Sequence, residues 1–576
     1  MSDPHDFAYL HTPFTKPYNY STVTKAAIKN ARLRPNQEIF VLREPDGSRA
    51  SLTNANLVQQ AEQLARYLIT QGIKKGDVVA LVGPNMLEMA VAMLGVMMAG
   101  SVVLNITIST KSALDINGML RQANVKLMLV GCGKDNYLLP AVKVILERCN
   151  VETDSSKGNG RIKMIFVGKI DMDGFQNTDT FQKIQTRDIT EVNLPNVYPE
   201  DNAIIFSTSG STGQPKMALH THFGLSCSPL FLTQPEVDYT VRMYNDRPFA
   251  WSGGSPIFTI LRGETRVLMN AYVTMKTQNT AFLWNILKEE RCTHALLLPF
   301  LIQDLIQLSK TVEDDGFRLE QITTGGQMIN SSYTGVIGRV SRTMMVVYAS
   351  TETAGMAWNG PLGPTDCLQA GDVGQPYPGL EVRVVDDQER PVRNGAVGKI
   401  QVRSNQLFKE YVGDQQLTKS AFTDDSWFRT GDIGKISTDG RLIMLGRETD
   451  IISRGTRKIY PGAIELLLKN IKSIKEVFVV AVPDKRLYEE VCVCFVSSEK
   501  ITPDEVEQYC HEHLFTDGTV DSLGEMPTYF LQFEEFPKLA NGKPDKKALR
   551  REATAKLGLT EETDVNVIIE TETKKK

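Results

Sequence analysis

Helix-length segments alternate with short apolar runs over the first two thirds of the chain. The pattern predicts helices at residues 57–71 and 86–98, and strands at 77–82 and 101–106. Further short apolar runs lie at 126–130, 164–167, 203–206, 265–268 and 344–348. Such alternation is typical of helices packed on the faces of largely parallel sheets. We therefore expect an α/β fold built from layered α/β subdomains.

The character of the sequence changes after about Gly371. Closely spaced glycine-containing turns predict a β-rich subdomain there. Beyond Arg447 a new set of elements predicts a separate, small α/β domain of ordinary size over residues 451–560. Its predicted elements are a helix around 464–468, strands at 477–482 and 491–496, and a helix at 503–513. The charged residues 561–576 predict a flexible tail.

Charge and hydropathy exclude two classes of partner. The 576 residues carry a formal net charge of −4, whereas nucleic-acid-binding proteins usually present a basic face, so we expect no nucleic acid partner. The uncharged stretch 89–104 falls short of the about 20 residues that a membrane span needs, so no transmembrane segment is predicted. A small charged ligand remains compatible with this composition.

The eight cysteines include no CxxC pair, which disfavours a metal site. We expect free, mostly buried thiols in a reducing compartment, although their even number leaves a disulfide open. The N-terminal residues show no basic-then-apolar targeting pattern. The expected location is therefore intracellular, with cytoplasm and mitochondrion not distinguished, and the oligomeric state is left open.

A hydroxyl- and glycine-rich loop follows the predicted strand at 203–206. It consists of Thr208, Ser209, Gly210, Ser211, Thr212, Gly213, Gln214, Pro215 and Lys216. Glycines let backbone N–H groups approach an anion, hydroxyls donate further hydrogen bonds, and the lysine supplies a positive charge. The P-loop pattern fails, because Pro215 replaces its second glycine and Met217 replaces its hydroxyl residue. A phosphate cradle and a flexible turn both remain open from the loop alone.

Polar residues also follow other predicted strands. Tyr348, Thr351 and Glu352 come after the apolar run at 344–348, at the strand end where α/β sheets bind ligands. An aromatic face can stack on a base, a hydroxyl can contact phosphate, and a carboxylate can hold magnesium. A helix cap with an acid at its first turn is the ordinary alternative.

Four more short motifs contain residues that could bind a nucleotide, and each also has an ordinary structural explanation. Their residues are Gly325, Gly326 and Gln327, then Asp432, Arg447 and Lys543. A glycine pair is usually a turn, an aspartate after glycine usually shapes one, and a late lysine is usually solvated. Asp432 could instead accept hydrogen bonds from ribose hydroxyls, and Arg447 could bind ribose or phosphate.

In this order and spacing, the motifs resemble those of the adenylate-forming superfamily of acyl-CoA synthetases, luciferases and peptide-synthetase adenylation domains. The similarity extends from about Thr53 to Arg550. Residues 246–254 and 459–461 make the fatty acyl-CoA synthetase branch the most similar. Each motif is weak alone, but the ordered set is specific.

The resemblance implies an acid–thiol ligase of fatty acid and lipid metabolism. A carboxylic acid attacks the α-phosphate of MgATP to give an acyl-adenylate and pyrophosphate, and coenzyme A then displaces AMP. Thr351, Glu352 and Lys543 are the implied catalytic residues, with Glu352 on Mg²⁺. Residues 208–216, 325–327 and 348, with Asp432 and Arg447, are the implied ATP site. The implied cofactors and co-substrates are ATP, Mg²⁺ and coenzyme A.

The resemblance also implies a mobile C-terminal domain. It divides the chain into a large domain at 1–446, a hinge at 447–450 around Thr449, and a small domain at 451–560 that rotates between the half-reactions. Lys543 then acts only in adenylation. Phe249 and Trp251 are candidate walls of the acyl pocket, although Trp251 could equally belong to the core.

One departure from the family pattern bears on the acceptor. Thr456, next to Gly455, stands where the family commonly has glycine near the path of coenzyme A. A β-branched side chain narrows that path or strains the backbone. Two alternatives therefore stay open: an adenylating enzyme with another acceptor, such as oxygen or a carrier protein, and a nucleotide-binding pseudoenzyme.

Overall fold

The computed structural model describes residues 7–14, 17–106, 113–133, 151–152, 162–167, 181–208, 215–227, 241–269, 279–327, 329, 331–369, 371–454, 457–514, 526–539 and 544–559. The strands up to residue 348 are β1 (Tyr9–Thr12), β2 (Glu38–Arg43), β3 (Arg49–Thr53), β4 (Val78–Val82), β5 (Val102–Ile106), β6 (Val125–Gly131), β7 (Val151–Glu152), β8 (Ile162–Val167), β9 (Asn202–Thr208), β10 (Lys216–Thr221), β11 (Arg242–Tyr244), β12 (Thr265–Leu268), β13 (His294–Leu296), β14 (Leu319–Gly325) and β15 (Ser341–Tyr348). The later strands are β16 (Ala357–Leu362), β17 (Asp372–Pro376), β18 (Leu380–Val385), β19 (Gly398–Arg403), β20 (Glu410–Tyr411), β21 (Phe428–Ile436), β22 (Leu442–Arg447), β23 (Ile452–Arg454), β24 (Arg457–Ile459), β25 (Ile474–Asp484), β26 (Tyr488–Ser497) and β27 (Tyr529–Gln532).

The described α-helices are α1 (Val23–Leu33), α2 (Asn54–Thr70), α3 (Leu87–Met98), α4 (Ala113–Gln122), α5 (Phe181–Gln185), α6 (His222–Ser226), α7 (Pro256–Arg262), α8 (Thr280–Glu289), α9 (Pro299–Leu308), α10 (Gln415–Ala421), α11 (Pro461–Leu468), α12 (Pro503–Leu514) and α13 (Lys546–Lys556). Short 3-10 helices lie at Ser252–Gly254, Ser331–Val336 and Glu448–Asp450. Among the described residues, no helix combines the length and the apolar character needed to cross a membrane.

One sheet has eight strands in the order β20-β10-β9-β5-β4-β6-β8-β7. From β9 to β7 all neighbours are parallel, while β10 pairs antiparallel with β9 and β20. The central strands β4 and β5 are almost wholly buried and read as continuous apolar runs, as expected for a parallel sheet covered on both faces. The strands predicted at 77–82 and 101–106 are therefore confirmed.

The largest sheet joins the α/β part of the chain to its β-rich part. It has fourteen strands in the order β1-β18-β19-β21-β22-β17-β16-β15-β14-β13-β11-β12-β2-β3. From β2 to β15 along this path the neighbours are parallel, and from β15 to β1 they are antiparallel. The β-rich region predicted after about residue 371 is confirmed, and its strands continue the α/β sheet.

Residues 451 onward build a third sheet, in which β24-β23-β26-β25 are antiparallel neighbours and β27 pairs parallel with β26. Apolar side chains on the two sides of this sheet form two clusters, one containing Ile464 of α11 and the other Leu549 of α13. Elements predicted at 477–482, 491–496 and 503–513 lie within β25, β26 and α12. A core of its own favours an independent C-terminal domain.

The described cysteines are free thiols, which agrees with the expectation from the sequence. All are buried except Cys367. Cys149 lies outside the described residues.

Candidate active site

The neighbouring strands β14 and β15 lie in the interior of the largest sheet, and their carboxyl ends lie side by side at one edge formed by strand ends. Gly325 lies opposite Val347. A Cβ added to Gly325 would lie 2.3 Å from the Val347 carbonyl oxygen, so the two strands approach too closely there for a side chain. Gly326 then takes a φ of +83°, which suits glycine. The glycine pair therefore brings bare backbone next to Tyr348, and the role of this backbone in holding a base stays a prediction.

Tyr348, Asp432 and Arg447 form a connected cluster beside this edge. Asp432 and Arg447 are cross-strand partners on β21 and β22, and an Arg447 Nε to Asp432 Oδ1 ion pair spans 3.0 Å. The Tyr348 hydroxyl donates to Asp432 Oδ2. Three residues that lie far apart in the sequence, and that were predicted to bind the nucleoside, are thus in contact.

The charge state of this cluster follows from burial. Asp432 is buried, and burial raises the pKa of its carboxyl while the Arg447 charge opposes the rise. Burial, with the adjacent Asp432 carboxylate, raises the pKa of Tyr348 well above its usual range. The phenol therefore remains a hydrogen-bond donor at neutral pH. Each oxygen of the Asp432 carboxylate thus has a partner, Arg447 at Oδ1 and Tyr348 at Oδ2.

The hairpin β9–β10 carries the two ends of the predicted phosphate loop. Thr208 and Lys216 are cross-strand partners, which brings the loop ends together. Residues 209–214 lie outside the described residues. Lys216 Nζ lies 5.3 Å from the centroid of the Tyr411 ring and over its face. The lysine is therefore positioned by an aromatic ring from the neighbouring strand β20.

Thr351 and Glu352 are attached to the same hairpin by side chains from β10 and β20. His220 Nε2 lies 2.9 Å from the Thr351 carbonyl oxygen, and burial lowers the pKa of His220 to about 4. The neutral ring therefore donates from Nε2. The Tyr411 hydroxyl donates to Glu352 Oε1 over 2.7 Å. The Thr351 main chain and the Glu352 carboxylate thus lie beside the β9–β10 hairpin.

The donor set fits magnesium bound together with a nucleotide. Among the residues that the structure describes, no cluster of three or more His, Cys, Asp or Glu side chains could hold a metal ion alone. Mg²⁺ in nucleotide sites usually takes one or two carboxylates, with phosphate oxygens and water completing its shell. Glu352, whose Oε1 accepts from Tyr411, offers one such carboxylate.

The sequence did not identify Tyr411 or His220 as members of this site. Tyr411 lies in a strand of two residues, which is too short to show a periodic pattern. His220 lies in the apolar strand β10 and resembles an ordinary core residue in the sequence. Their positions follow from strand pairing between distant segments.

The candidate acyl-pocket residues lie apart from these contacts. Phe249 is buried in the core, where its ring centroid is 6.3 Å from that of Phe40 and 5.0 Å from the Arg266 guanidinium carbon. Trp251 is half-buried and precedes the 3-10 helix Ser252–Gly254. Their role as pocket walls stays a prediction.

The predicted hinge forms the short 3-10 helix Glu448–Asp450, which contains Thr449 and directly follows β22. Lys546 bridges this segment to α11, because its Nζ lies 3.2 Å from Asp450 Oδ2 and 3.0 Å from Glu465 Oε1. Lys543, Gly455 and Thr456 lie outside the described residues.

Comparisons with known proteins show the family to which the chain belongs. The family model described as AMP-binding enzyme matches residues 28–412. A long-chain-fatty-acid–CoA ligase of Mycobacterium tuberculosis is 26% identical over 533 residues, covering 92% of this chain and 97% of the relative. A mitochondrial medium-chain acyl-CoA ligase of Danio rerio is 25% identical over 586 residues, covering 96% of this chain and 91% of the relative.

Solved structures share the fold. An amide bond synthetase of Marinactinospora thermotolerans superposes with a TM-score of 0.75 at 21% identity, covering 92% of this chain and all of the other. The predicted α/β architecture is confirmed, as is the predicted class of acid–thiol ligase by the named relatives. The chain therefore belongs to the AMP-binding enzyme family, as an adenylate-forming enzyme related to the acyl-CoA ligases.

Proposed function

We propose that this enzyme is an ATP-dependent fatty acid–CoA ligase. It forms an acyl-adenylate with release of pyrophosphate and then an acyl-CoA thioester with release of AMP. The observation that carries the proposal is the convergence of Glu352 and Lys216 on Tyr411, beside a nucleoside site built from Tyr348, Asp432 and Arg447.

In the proposed adenylation step, a carboxylate oxygen of the acid attacks the α-phosphorus of ATP, and the bond to pyrophosphate breaks. Asp432 and Arg447 hold the ribose, and the backbone at 325–327 with Tyr348 holds the adenine. Lys216 and Thr351 would contact phosphate oxygens, and Glu352 would hold Mg²⁺. Bound Mg²⁺ supplies positive charge against the phosphate oxygens. Lys543 stabilises the charge that builds between carboxylate and phosphate.

The fatty acid is proposed from the names of relatives. The relative in Mycobacterium tuberculosis is named for long-chain fatty acids and that in Danio rerio for medium-chain acids. Phe249 and Trp251 are the proposed pocket walls. The chain length of the acid is therefore the least constrained part of the proposal.

We also propose the division into a domain at 1–446, a hinge at 447–450 and a rotating domain at 451–560. The separate apolar clusters of the C-terminal sheet support it. Domain rotation around a short segment is a common switching device in proteins, since few contacts need to exchange.

A second candidate is an adenylating enzyme with an acceptor other than coenzyme A. Thr456, in place of the family's glycine, favours it. The amide bond synthetase that shares this fold is named for a different product, so the fold alone does not fix the acceptor.

A panel of carboxylic acids tests the proposal, with pyrophosphate and thioester measured separately in the presence and absence of coenzyme A. We expect pyrophosphate release with medium- or long-chain acids, and thioester only when coenzyme A is added. Pyrophosphate without thioester contradicts the ligase and favours the second candidate. Silence across the panel, with intact ATP binding, favours a nucleotide-binding pseudoenzyme.

A further inference from the structure

Tyr411 contacts two oppositely charged side chains, Lys216 of the β9–β10 hairpin and Glu352. Its hydroxyl donates to Glu352 Oε1 over 2.7 Å, and its ring face lies 5.3 Å from Lys216 Nζ. The second distance lies within the range of a cation–π contact. Lys216 and Glu352 form no ion pair with each other, although both contact the same tyrosine.

The tyrosine is held rigidly. It is buried, and its ring centroid lies 4.6 Å from that of Phe408. Its neighbours in the chain form backbone hydrogen bonds to β10, from Lys409 N to Leu219 O over 2.7 Å and from Val412 N to Met217 O over 2.9 Å. Because the backbone on both sides of Tyr411 is paired with β10, the Tyr411 side chain is held in place and can orient the groups that it contacts.

The backbone of Glu352 is fixed by the same segment. Phe408 N donates to the Glu352 carbonyl oxygen over 2.8 Å. The residues around β20 therefore hold both the main chain and the carboxylate of Glu352. Because Tyr411 occupies Oε1, the second carboxylate oxygen is left for another ligand.

The phenol of Tyr411 is a neutral partner that Lys216 and Glu352 share. A lysine and a carboxylate that pair directly neutralise one another, and neither then serves a phosphate or a metal. The phenol gives each charge a separate partner, a hydroxyl for the anion and a π face for the cation.

We propose that Tyr411 is a positioning residue of the phosphate and metal site, which orients Glu352 toward Mg²⁺ and keeps Lys216 available for phosphate. This inference rests on the proposed function, because it assigns Glu352 to the metal that accompanies ATP. Residues that orient a metal ligand typically change metal affinity by about 10- to 100-fold when they are removed.

The Y411F and Y411L variants separate the two contacts. Phenylalanine keeps the ring under Lys216 but removes the hydroxyl, so we expect Mn²⁺ affinity in the presence of α,β-methylene-ATP to fall by about 10-fold or more. Binding of the same nucleotide in EDTA should stay as in the natural enzyme. Leucine removes both contacts and should weaken nucleotide binding in EDTA as well.

The measurement is electron paramagnetic resonance of Mn²⁺ on the full chain, and nucleotide binding is measured by calorimetry. Y377F is the matched control, since Tyr377 is buried and its hydroxyl has no hydrogen-bond partner among the described residues. It should leave both affinities unchanged. Thermal midpoints show that each variant is folded.

The E352Q variant alters the hydrogen bond between Tyr411 and Glu352 on the carboxylate side. In that background Y411F should cause no further loss of Mn²⁺ affinity, because the two substitutions break one interaction. A smaller loss than about 10-fold in Y411F alone, or an equal loss in the E352Q background, overturns the proposal. Both readings are independent of turnover, so they stay informative even if no carboxylic acid in the panel releases pyrophosphate.

Discussion

His222 is a buried side chain whose pKa makes the stability of the native state depend on pH. It begins α6, directly after β10, and its Nδ1 accepts a hydrogen bond from Val23 N over 3.3 Å. Burial lowers the pKa of His222 to about 4 from 6.5, and the opposing effect of Asp201 is smaller. The ring is therefore neutral in the native protein, and it links helix α1 to the end of the β9–β10 hairpin.

The pKa of His222 predicts a proton uptake on unfolding. Between about pH 6.5 and pH 4 the unfolded chain binds a proton that the native state does not, so native stability falls as the pH falls through this window. At pH 5.2 His222 should account for about 0.9 proton. The H222N variant, whose amide oxygen can replace Nδ1 as acceptor, should take up that much less.

The measurement is proton uptake when urea unfolds the protein, followed with a pH indicator. It counts protons and needs no assumption of two-state unfolding, which a chain of this size does not satisfy. At pH 7.5 the natural protein and H222N should agree, because neither state of His222 is protonated there. Equal uptake at pH 5.2 contradicts a buried neutral histidine.

At the scale of elements, continuous apolar runs were predictable and pairings between distant segments were not. The strands β4 and β5 lie within one residue of their predicted ends, because buried parallel strands have a largely apolar sequence. The two-residue strand β20 has no such pattern, so the contact between Tyr411 and Glu352, 59 residues apart, could not be foreseen.

Some features of the candidate site were also predictable from the sequence, and others were not. Asp432 and Arg447 were predictable from the motif series, but their mutual ion pair depends on the register of β21 and β22. Phe249 is buried, and its role as a pocket wall stays a prediction. An aromatic residue between small residues does not reveal in the sequence which neighbours cover it.

The close approach of β14 and β15 predicts a specific effect of G325A. The added Cβ would meet the Val347 carbonyl oxygen at 2.3 Å, so the strand ends must separate at the proposed adenine site. A displacement of about 1 Å at a reacting site can cost about 100-fold in rate. We expect kcat/KM for ATP to fall by about 10- to 100-fold, measured by pyrophosphate release, with a lower thermal midpoint.

Gly118 offers a matched control in another element. It lies in helix α4, and an added Cβ would meet nothing within 4 Å. Alanine is a better helix former than glycine by about 0.5–1 kcal/mol, so G118A should leave catalysis unchanged and slightly raise the thermal midpoint. Equal losses in G118A and G325A contradict an effect specific to the strand ends.

At the scale of the whole molecule, exposed or partly exposed ion pairs lie around the proposed hinge. Lys399 Nζ lies 2.6 Å from Glu448 Oε1 and 3.4 Å from Asp387 Oδ1, and Asp387 Oδ2 lies 2.7 Å from Lys458 Nζ. Asp387 and Lys458 are each about half exposed. Exposed ion pairs contribute about 0–1 kcal/mol each. Of these pairs, Asp387–Lys458 joins residues 1–446 to residues 451–560, and a pair this exposed can be exchanged at low cost, as the proposed rotation requires.

The rotation predicts that one lysine serves only one half-reaction. Lys543 is proposed to stabilise the charge that builds during adenylation, and then to leave with the rotating domain. Removal of such a charge-stabilising group typically costs about 100- to 1,000-fold. K543A should therefore lose adenylation to this extent, measured as pyrophosphate release, and keep thioester formation from supplied acyl-adenylate.

Lys546 lies three residues further on and is the matched control. It joins Asp450 of the hinge to Glu465, a buried carboxylate that also accepts from Val479 N over 3.0 Å. K546A leaves Glu465 with fewer partners, and an undercompensated buried charge destabilises the fold. We expect a lower thermal midpoint in K546A and similar changes in the two half-reactions. Equal loss of both half-reactions in K543A contradicts the rotating domain, since a lysine that stays in place would serve both steps.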